Sequence, residues 1–524
     1  MALPQGANFS QQLLHCWDPI FDSQRHVSDR YNEPFVDVRN DVDATSDLIS
    51  MFMQAFDEND FCHCATDAVA GFCTGADLSN LQQNPCASTK LVALLDGNSG
   101  LTAWGLYQAL RSPKVVSKKA HKGNMYIRNG RLYNRKTGHD SKCLPAMKSR
   151  TVDKNIHRLF VASLNRWTVI ALAANAPMHQ ASILCEFIFN HLQFDPLINA
   201  KVLRDGLPVF AFEFHLPYFA LRKHRLPQKD TRRAANGDGL RGYYDITFLR
   251  TMSSKADNSP TEYVYEAKVS CLLSGLSRYS WSTHFFNDLY FETDEDAESI
   301  EEYLDQGSTG TILDPLTAGK KLMDTLPCEP REYFLVVLEI RLGRIKKEWQ
   351  QLFAAVNQAI QAYRNDYWDR AVLCMTNNQG SHPDADSERS QLREELQEWM
   401  RRSVELLRKF IGPLNQYSEE WKIFQDTGVN YFMTTDNPEH SARLRQSLTS
   451  VEQRVTDLRR LLSKLKHTID SCEDMSRDVN LQIAHENNES ALFQQKTAGD
   501  VRVLTWITFV NMILAPPLTE DAVC

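Results

Sequence analysis

The apolar positions near the carboxyl end keep one rhythm for longer than any others in the chain. Leu444, Leu448, Val451, Val455, Leu458, Leu462, Leu465, Ile469 and Cys472 alternate steps of four and three residues across four heptads, the seam of a coiled coil or of a helix packed lengthwise. Asn437-Pro438 supplies an N-cap followed by proline at the first helical position. Val479 and Ile483 continue the register, and no proline or glycine intervenes before Gly499. The spacing therefore predicts one helix from Pro438 toward Leu514, a rod of roughly 115 Å at about 1.5 Å per residue. A stripe of that length needs other helices, or copies of the same chain, laid along it.

Upstream the period changes twice. After Pro330, Phe334, Leu338, Ile345, Trp349, Leu352, Val356, Ile360 and Tyr363 share one helical stripe, and "TNNQGSHPDADSE" ends that unit. Helical spacing resumes through Leu392, Leu396, Trp399, Leu407 and Phe410, and Gly412-Pro413 is expected to stop it. Between Ile156 and Pro330 the pattern is that of a packed α/β core. There, Pro177 is expected to open a helix through "MHQASILCEFIFNHL", with Ile183, Phe187 and Leu192 on its apolar side. "LPVFAFEFHLPYFALR" alternates Val209, Ala211 and Glu213 with Phe210, Phe212 and Phe214, a strand with one aromatic face. "YYDITFL" and "TEYVYEAKVSCLL" read as two further strands around the turn composition "SSKADNSP". The first 150 residues mix short elements and loops. "SGLTAWGLYQALRS", from Ser99 to Ser112, is their first compact helical candidate, and Asn129-Gly130 inside "NMYIRNGRLYN" predicts a hairpin.

Composition narrows the class without naming a function. A chain of 524 residues suggests two to four domains, and 43% hydrophobic with 24% charged residues are the proportions of a soluble globular protein. A net charge of -8 argues against nucleic acid as a partner of the chain as a whole. The N-terminus has neither the basic region nor the apolar core of a secretory signal. Twelve scattered cysteines read as mostly reduced thiols. At the other end, Val503 to Leu518 is apolar apart from Thr505, Thr508, Asn511 and Pro516-Pro517. Its 16 residues cover roughly 24 Å as a helix, against a hydrocarbon core of about 30 Å. The segment is expected to touch a bilayer without crossing it, or else to pack on the protein itself.

Four local features could carry chemistry, each with a plainer alternative. "CHCATDAVAGFC" offers Cys62, His63, Cys64 and Cys73 as zinc ligands, but the spacing fits no standard knuckle, and ordinary thiols are the simpler reading. Asp245, Glu266 and Lys268 superficially resemble a nuclease core of strand carboxylates with a lysine. Charges on an outer sheet face account for them more simply. Arg111 to Lys154 holds 13 basic against 2 acidic residues, suited to anionic lipid or to solvent. Glu292 to Asp305 holds eight carboxylates and no base, and reads as a solvated linker or helix face rather than a metal site. GxSxG, GxxxxGK[ST], HExxH and GxGxxG are all absent from the sequence, so no catalytic, cofactor-binding or metal-ligating residue is assigned and an enzyme is not expected.

Several segments together resemble the fungal proteins with a CorA-like transporter domain. They are "SGLTAWGLYQALRSP", "RLFVASLNRWTVIAL", "PVFAFEFHLPYFALR", "YEAKVSCLLSGLSRYSWSTHFFNDLYFE", "ILDPLTAG", "PREYFLVVLEIRLGRIKKEW" and "KTAGDVRVLTWITFVNMILAPPLT", which span most of the chain after about Leu95. The resemblance implies a soluble α/β domain leading into a very long stalk helix that becomes a membrane helix, identical subunits in a ring, and transport of a divalent cation, magnesium. The sequence departs from the family where the pore would be. In place of further apolar residues, a Gly-Met-Asn signature and a second membrane helix it has "EDAVC", so conduction by this chain alone is not expected.

These readings combine into a helix-dominated α+β fold. An irregular segment over 1–95 precedes an α/β domain over 96–330, a helical hairpin over 331–436, a stalk helix with an incomplete membrane segment over 437–515, and a tail over 516–524. The expected partners are copies of itself or full-length relatives through the stalk, with membrane contact by the tail. The location would be membrane-associated by resemblance, or cytoplasmic if the tail does not insert. A soluble, self-associating coiled-coil regulator is the competing reading.

Overall fold

The computed structural model describes residues 16–25, 29–39, 47–54, 63–97, 99–111, 125–128, 131–134, 155–204, 206–249, 261–292, 299–308, 312–376, 383–433 and 437–514. Five short helices come first: α1 (Asp29–Asn32), α2 (Phe35–Arg39), α3 (Leu48–Gln54), α4 (His63–Phe72) and α5 (Pro85–Ser88). Strands β1 (Ala93–Leu95) and β2 (Ser99–Leu101) precede α6 (Ala103–Arg111), so the compact helix expected from Ser99 starts four residues later, and α4 comes before it. The predicted hairpin is present as β3 (Met125–Arg128) and β4 (Arg131–Asn134), with Arg128 opposite Arg131.

The apolar run after Ile156 divides in two. β5 (Asn155–Ala162) ends, and α7 (Arg166–Asn175) begins at Asn165, whose side chain caps it by accepting from the Thr168 amide. The next helix, α8 (Ala181–Leu192), starts four residues after Pro177 and not at it. Pro177 lies instead in a bridge with Pro34, and its carbonyl accepts from the Gln180 amide in a turn that precedes the helix. Then follow β6 (Leu197–Leu203), β7 (Val209–His224), β8 (Tyr243–Asp245), β9 (Thr261–Ser277), β10 (Ser280–Asn287) and α9 (Ile300–Ser308). Three long helices close the described chain: α10 (Pro330–Thr376), α11 (Pro383–Thr427) and α12 (Pro438–Leu514). The fold is helix-dominated α+β.

The main sheet has eight strands in the order β2-β1-β5-β10-β9-β7-β6, with β8 beside β9. Only β5 and β10 run parallel; every other pairing in this sheet is antiparallel. Pro217 sits inside the long strand β7 without breaking it. Its partner Lys268 sends its amide N–H to Asp288 rather than to β7, and β6 has stopped pairing at His215, so no ladder bond requires a donor from Pro217.

By packing, the chain divides into two compact units. The first comprises Met1–Ile246, Ser259–Leu352 and Pro413–Arg459. Here the sheet is covered on both faces. Val209, Ala211, Leu272 and Phe286 join α7, α8 and the N-terminal helices in one core. On the opposite side Phe212 lies 5.6 Å from Phe334 and 5.0 Å from Phe432, and Phe219 meets Trp349 edge-on at 5.5 Å. The alternation in β7 thus marks two buried faces rather than one, and Glu213 is buried like its aromatic neighbours. In the same unit Leu444, Leu448, Val451, Val455 and Leu458 are buried, flanked by the pairs Arg443–Glu332 and Lys346–Asp457.

The second unit comprises Thr247–Asn258, Phe353–Gly412 and Arg460–Cys524. Its core is built from three helical segments: Val356, Ile360 and Tyr363 of α10, Leu396, Trp399, Leu407 and Phe410 of α11, and Leu462, Leu465, Ile469, Cys472 and Val479 of α12. Tyr363 stacks on Trp399 at 3.9 Å, and the Trp399 indole donates to the Phe248 carbonyl at 3.1 Å.

α12 runs without interruption over 77 residues, as the heptads require. α11 does not stop where glycine and proline predicted. It continues through Gly412-Pro413. Proline in a helix interior loses one hydrogen bond and clashes with the carbonyl four residues back, about 3 kcal/mol. Phe410, Leu414, Tyr417 and Trp421, all fully buried on the turns around it, offset that cost.

Candidate functional site

The densest chemistry lies where α8 ends against the sheet. A helix leaves its last four carbonyls without partners inside the helix, and here two cations from the sheet side take them. Lys268 Nζ donates to the carbonyls of Asn190, Gln193 and Asp195 at 2.5, 2.8 and 2.9 Å. Arg241 donates to those of Leu192 and His191 at 2.9 and 2.6 Å. Positive charge at that terminus also matches the helix dipole. Burial and the neighbouring Arg241 draw the Lys268 ammonium well below its ordinary value, while three carbonyls match its three donors.

Asp288 binds this cluster together. Its carboxylate accepts from Arg232 Nη1 at 2.6 Å, Arg241 Nε at 2.8 Å and the Lys268 amide at 3.0 Å. Burial opposes its ionisation, but the two guanidinium groups outweigh burial and hold it well below the usual carboxylate range. On its other side, His191 Nε2 is 3.7 Å away. The Nδ1 atoms of His191 and His215 both lie 2.8 Å from Ser270 Oγ, and His215 Nε2 lies 3.6 Å from Glu213. Burial pulls the imidazoles down to about 3 and about 4, so both are neutral at pH 7. One hydroxyl has one proton to give, so Ser270 donates to one histidine and accepts from the other.

The row Asp288, His191, Ser270, His215, Glu213 has the residue types of a nucleophile with its bases, but not the access. All five are fully or almost fully buried, so no substrate atom reaches Ser270. What the arrangement does is fasten α8, β7, β9 and β10 to one another.

The residues singled out in the sequence scatter around this cluster. Asp245 is exposed at the end of β8. Glu266 accepts from the Gly242 amide at 2.8 Å and the Tyr244 hydroxyl at 2.7 Å. Lys268 is completely buried, which overturns the expectation of a charge on an outer sheet face for that residue, while Asp245 is exposed as expected. The three do not converge on a common point for a metal. Cys62 lies outside the described residues, Cys64 is exposed and Cys73 is buried. Cys64 and Cys73 stand near opposite ends of α4, about 13 Å apart along its axis at about 1.5 Å per residue. Burial pushes the Cys73 thiol far up. Among the described residues no group of three or more His, Cys, Asp or Glu is placed to hold a metal ion.

Most of the basic stretch and the centre of the acidic one lie outside the described residues. At their edges Arg111 pairs with Asp37 at 2.6 Å, and Glu292 with Arg222 at 2.8 Å.

The other notable surface is the end of α12. Val501, Val503, Leu504, Trp506, Ile507 and Phe509 are each 50–72% exposed. Thr505 and Thr508 donate their hydroxyls to the carbonyls of Val501 and Leu504, at 2.8 Å each. Those polar groups are thereby satisfied within the helix, leaving an outer surface of hydrocarbon, one indole and the exposed Arg502 at its start. No described helix is long and apolar enough to cross a membrane.

Sequence reasoning missed Arg232, Arg241, His191, His215 and Asp288. One signal was present: Glu213 and His215 interrupt a run otherwise apolar on both alternating faces, and a charge in such a run has to be buried and paired. Compared with known proteins, the chain matches no protein-family model and no curated protein.

Proposed function

We propose that this chain is the head and stalk of a CorA-type assembly serving divalent cation transport, held at a membrane surface by the apolar end of α12. The observation that carries this reading is the exposure of that end. Six large apolar residues between Val501 and Phe509 stand in water, and transfer to an apolar phase is favourable by about 25 cal/mol per Å² removed from water. Self-satisfied threonines make the same segment compatible with a medium that offers no hydrogen bonds, and the indole of Trp506 suits the lipid–water boundary. The cation-transport part rests on the resemblance of the quoted segments. The order of elements supports it: a mixed sheet, two long helices, then one very long helix with an apolar end.

Co-sedimentation of the full chain with phosphatidylcholine vesicles tests the membrane contact. Wild-type protein is expected in the pellet with Trp506 emission shifted to the blue, and the double substitution Ile507→Asp, Phe509→Asp in the supernatant. Wild-type protein that stays in the supernatant overturns the reading. Vesicles loaded with a magnesium-sensitive dye then separate conduction from an accessory role at the surface.

Self-association is the second reading, and one observation favours it. Leu481, Leu492 and Val503 are exposed at steps of 11 residues, three turns apart on one face of α12. Because the heptad seam is already buried within the chain, a partner copy would pack on this second stripe. A sedimentation coefficient that rises with protein concentration without lipid would support it.

A further inference from the structure

The loop that follows β7 carries a charge opposite to that of the chain. From Lys223 to Arg233 the sequence has five Lys or Arg and one Asp, against a net charge of -8 for the whole molecule. Lys223, Arg225, Lys229 and Arg233 are exposed. Lys223 pairs with Glu262 at 3.3 Å, and no carboxylate of the described residues is paired with Arg225, Lys229 or Arg233. Among these cations stands Leu226, 75% exposed, more than any of the six apolar residues at the end of α12. The loop belongs to the other compact unit.

The loop is held in place from beneath. His224 packs on Tyr265 at 5.5 Å, and the Gln228 amide donates to the Tyr265 hydroxyl at 3.1 Å. Asp230 accepts from Arg232 Nε and Nη2 at 2.9 and 2.7 Å, and Arg232 Nη1 reaches Asp288 at 2.6 Å. The one carboxylate between Lys223 and Arg233 is therefore buried and neutralised by its own neighbour, which leaves the outer surface of the loop cationic. Pro227 narrows the backbone freedom of Leu226, so less order has to be imposed on docking.

We propose that the loop from Lys223 to Arg233 docks on a bilayer surface containing anionic phospholipid. Headgroup phosphates and carboxylates meet Arg225, Lys229 and Arg233, and Leu226 enters the acyl boundary between them. A basic surface by itself would suit nucleic acid too. That partner gains from aromatic rings on which its bases stack, and no Phe, Tyr or Trp lies between Lys223 and Arg233. A bilayer uses both components of the loop, since binding at its interface adds apolar burial to attraction for anionic lipid. This contact goes beyond the one proposed for the end of α12, and differs from it in requiring charge on the lipid.

Co-sedimentation of the full chain carrying Ile507→Asp and Phe509→Asp, which remove the α12 contact, tests this one separately. Little pelleting is expected with phosphatidylcholine vesicles and clear pelleting once phosphatidylserine is included. The gain should vanish between about 0.1 M and about 1 M salt, as the screening length falls from about 10 to about 3 Å. Each basic residue near an anionic leaflet strengthens binding about 5-fold, so Arg225→Gln, Lys229→Gln and Arg233→Gln together are expected to weaken it about 100-fold. Leu226→Gln alone is expected to weaken it about 10-fold. Circular dichroism checks that each variant is folded, and the extra binding that phosphatidylserine gives the wild-type chain, with and without the triple substitution, provides the same comparison if the aspartate background misfolds. The basic stretch from Arg111 to Lys154 also offers charge to anionic lipid, and the triple substitution separates the two. Equal pelleting with and without phosphatidylserine, a serine-lipid preference that survives the triple substitution, or unchanged binding by Leu226→Gln would each overturn the proposal, whatever the end of α12 does.

Discussion

At the scale of single residues, the buried cluster under α8 makes the strongest demands. Asp288 balances two guanidinium groups that have no other carboxylate in common. Asp288→Asn keeps the shape, removes the charge and leaves Arg232 and Arg241 undercompensated. A loss of about 3–5 kcal/mol is expected, measurable as a lower midpoint in urea at pH 7. The two histidines set a pH dependence of their own. An unfolded chain takes up their protons near 6.5, whereas the native chain resists until about 3 for His191 and about 4 for His215. Between those values the unfolded state binds more protons, so stability falls as the pH is lowered, by about 1.4 kcal/mol per unit for each histidine. Asp288, whose native value is depressed, adds a further loss only below its ordinary 3.8. Urea midpoints at pH 7 and pH 5 should therefore differ clearly, and equal midpoints would mean that both imidazoles take up protons over the same pH range in the folded as in the unfolded protein.

Elements differ in how far their sequence announces them. α12 was legible from its start through Ile483, because a heptad seam, a cap and a run free of proline and glycine up to Gly499 are all local signals. The strands β7 and β9 were legible as strands, but their partners were not. Alternation reports which residues share a face, and it says nothing of what covers each face. The break expected at Gly412-Pro413 failed for the converse reason: local preference was overruled by four large side chains packed on neighbouring turns. A helix that continues through a poor sequence can be improved. A Cβ on Gly412 meets nothing within 4 Å, so Gly412→Ala is expected to raise stability by about 0.5–1 kcal/mol, read as a higher melting temperature. A fall would show that the turn needs glycine.

Across the whole molecule, the candidate site and the fold were unequally visible in the chain. The apolar end of α12 could be read directly, since its composition is its chemistry. The cluster of Asp288 could not, since it joins residues such as His191 and Ser270, 79 positions apart, through tertiary contacts. Within α12 itself, residues 444–479 include a buried face and residues 491–509 include none. Helix without tertiary burial exchanges its amide hydrogens readily. Hydrogen–deuterium exchange should find 491–509 fast in buffer and slowed on addition of vesicles, while 444–479 stays slow in both. Equal protection of the two stretches without lipid would place a cover on the end of α12.

The parallel pairing of β5 with β10 has a consequence for the way the protein is made. β5 ends 118 residues before β10 begins, and the aromatic face of β7 waits longer still: 220 residues separate Phe212 from Phe432, which covers it. At about 5–20 residues per second, a ribosome needs roughly 11–44 seconds to cross that interval. Through that interval the face of β7 is sheltered only in part, by Trp17 and then by Phe334, which makes the nascent chain a client for chaperones.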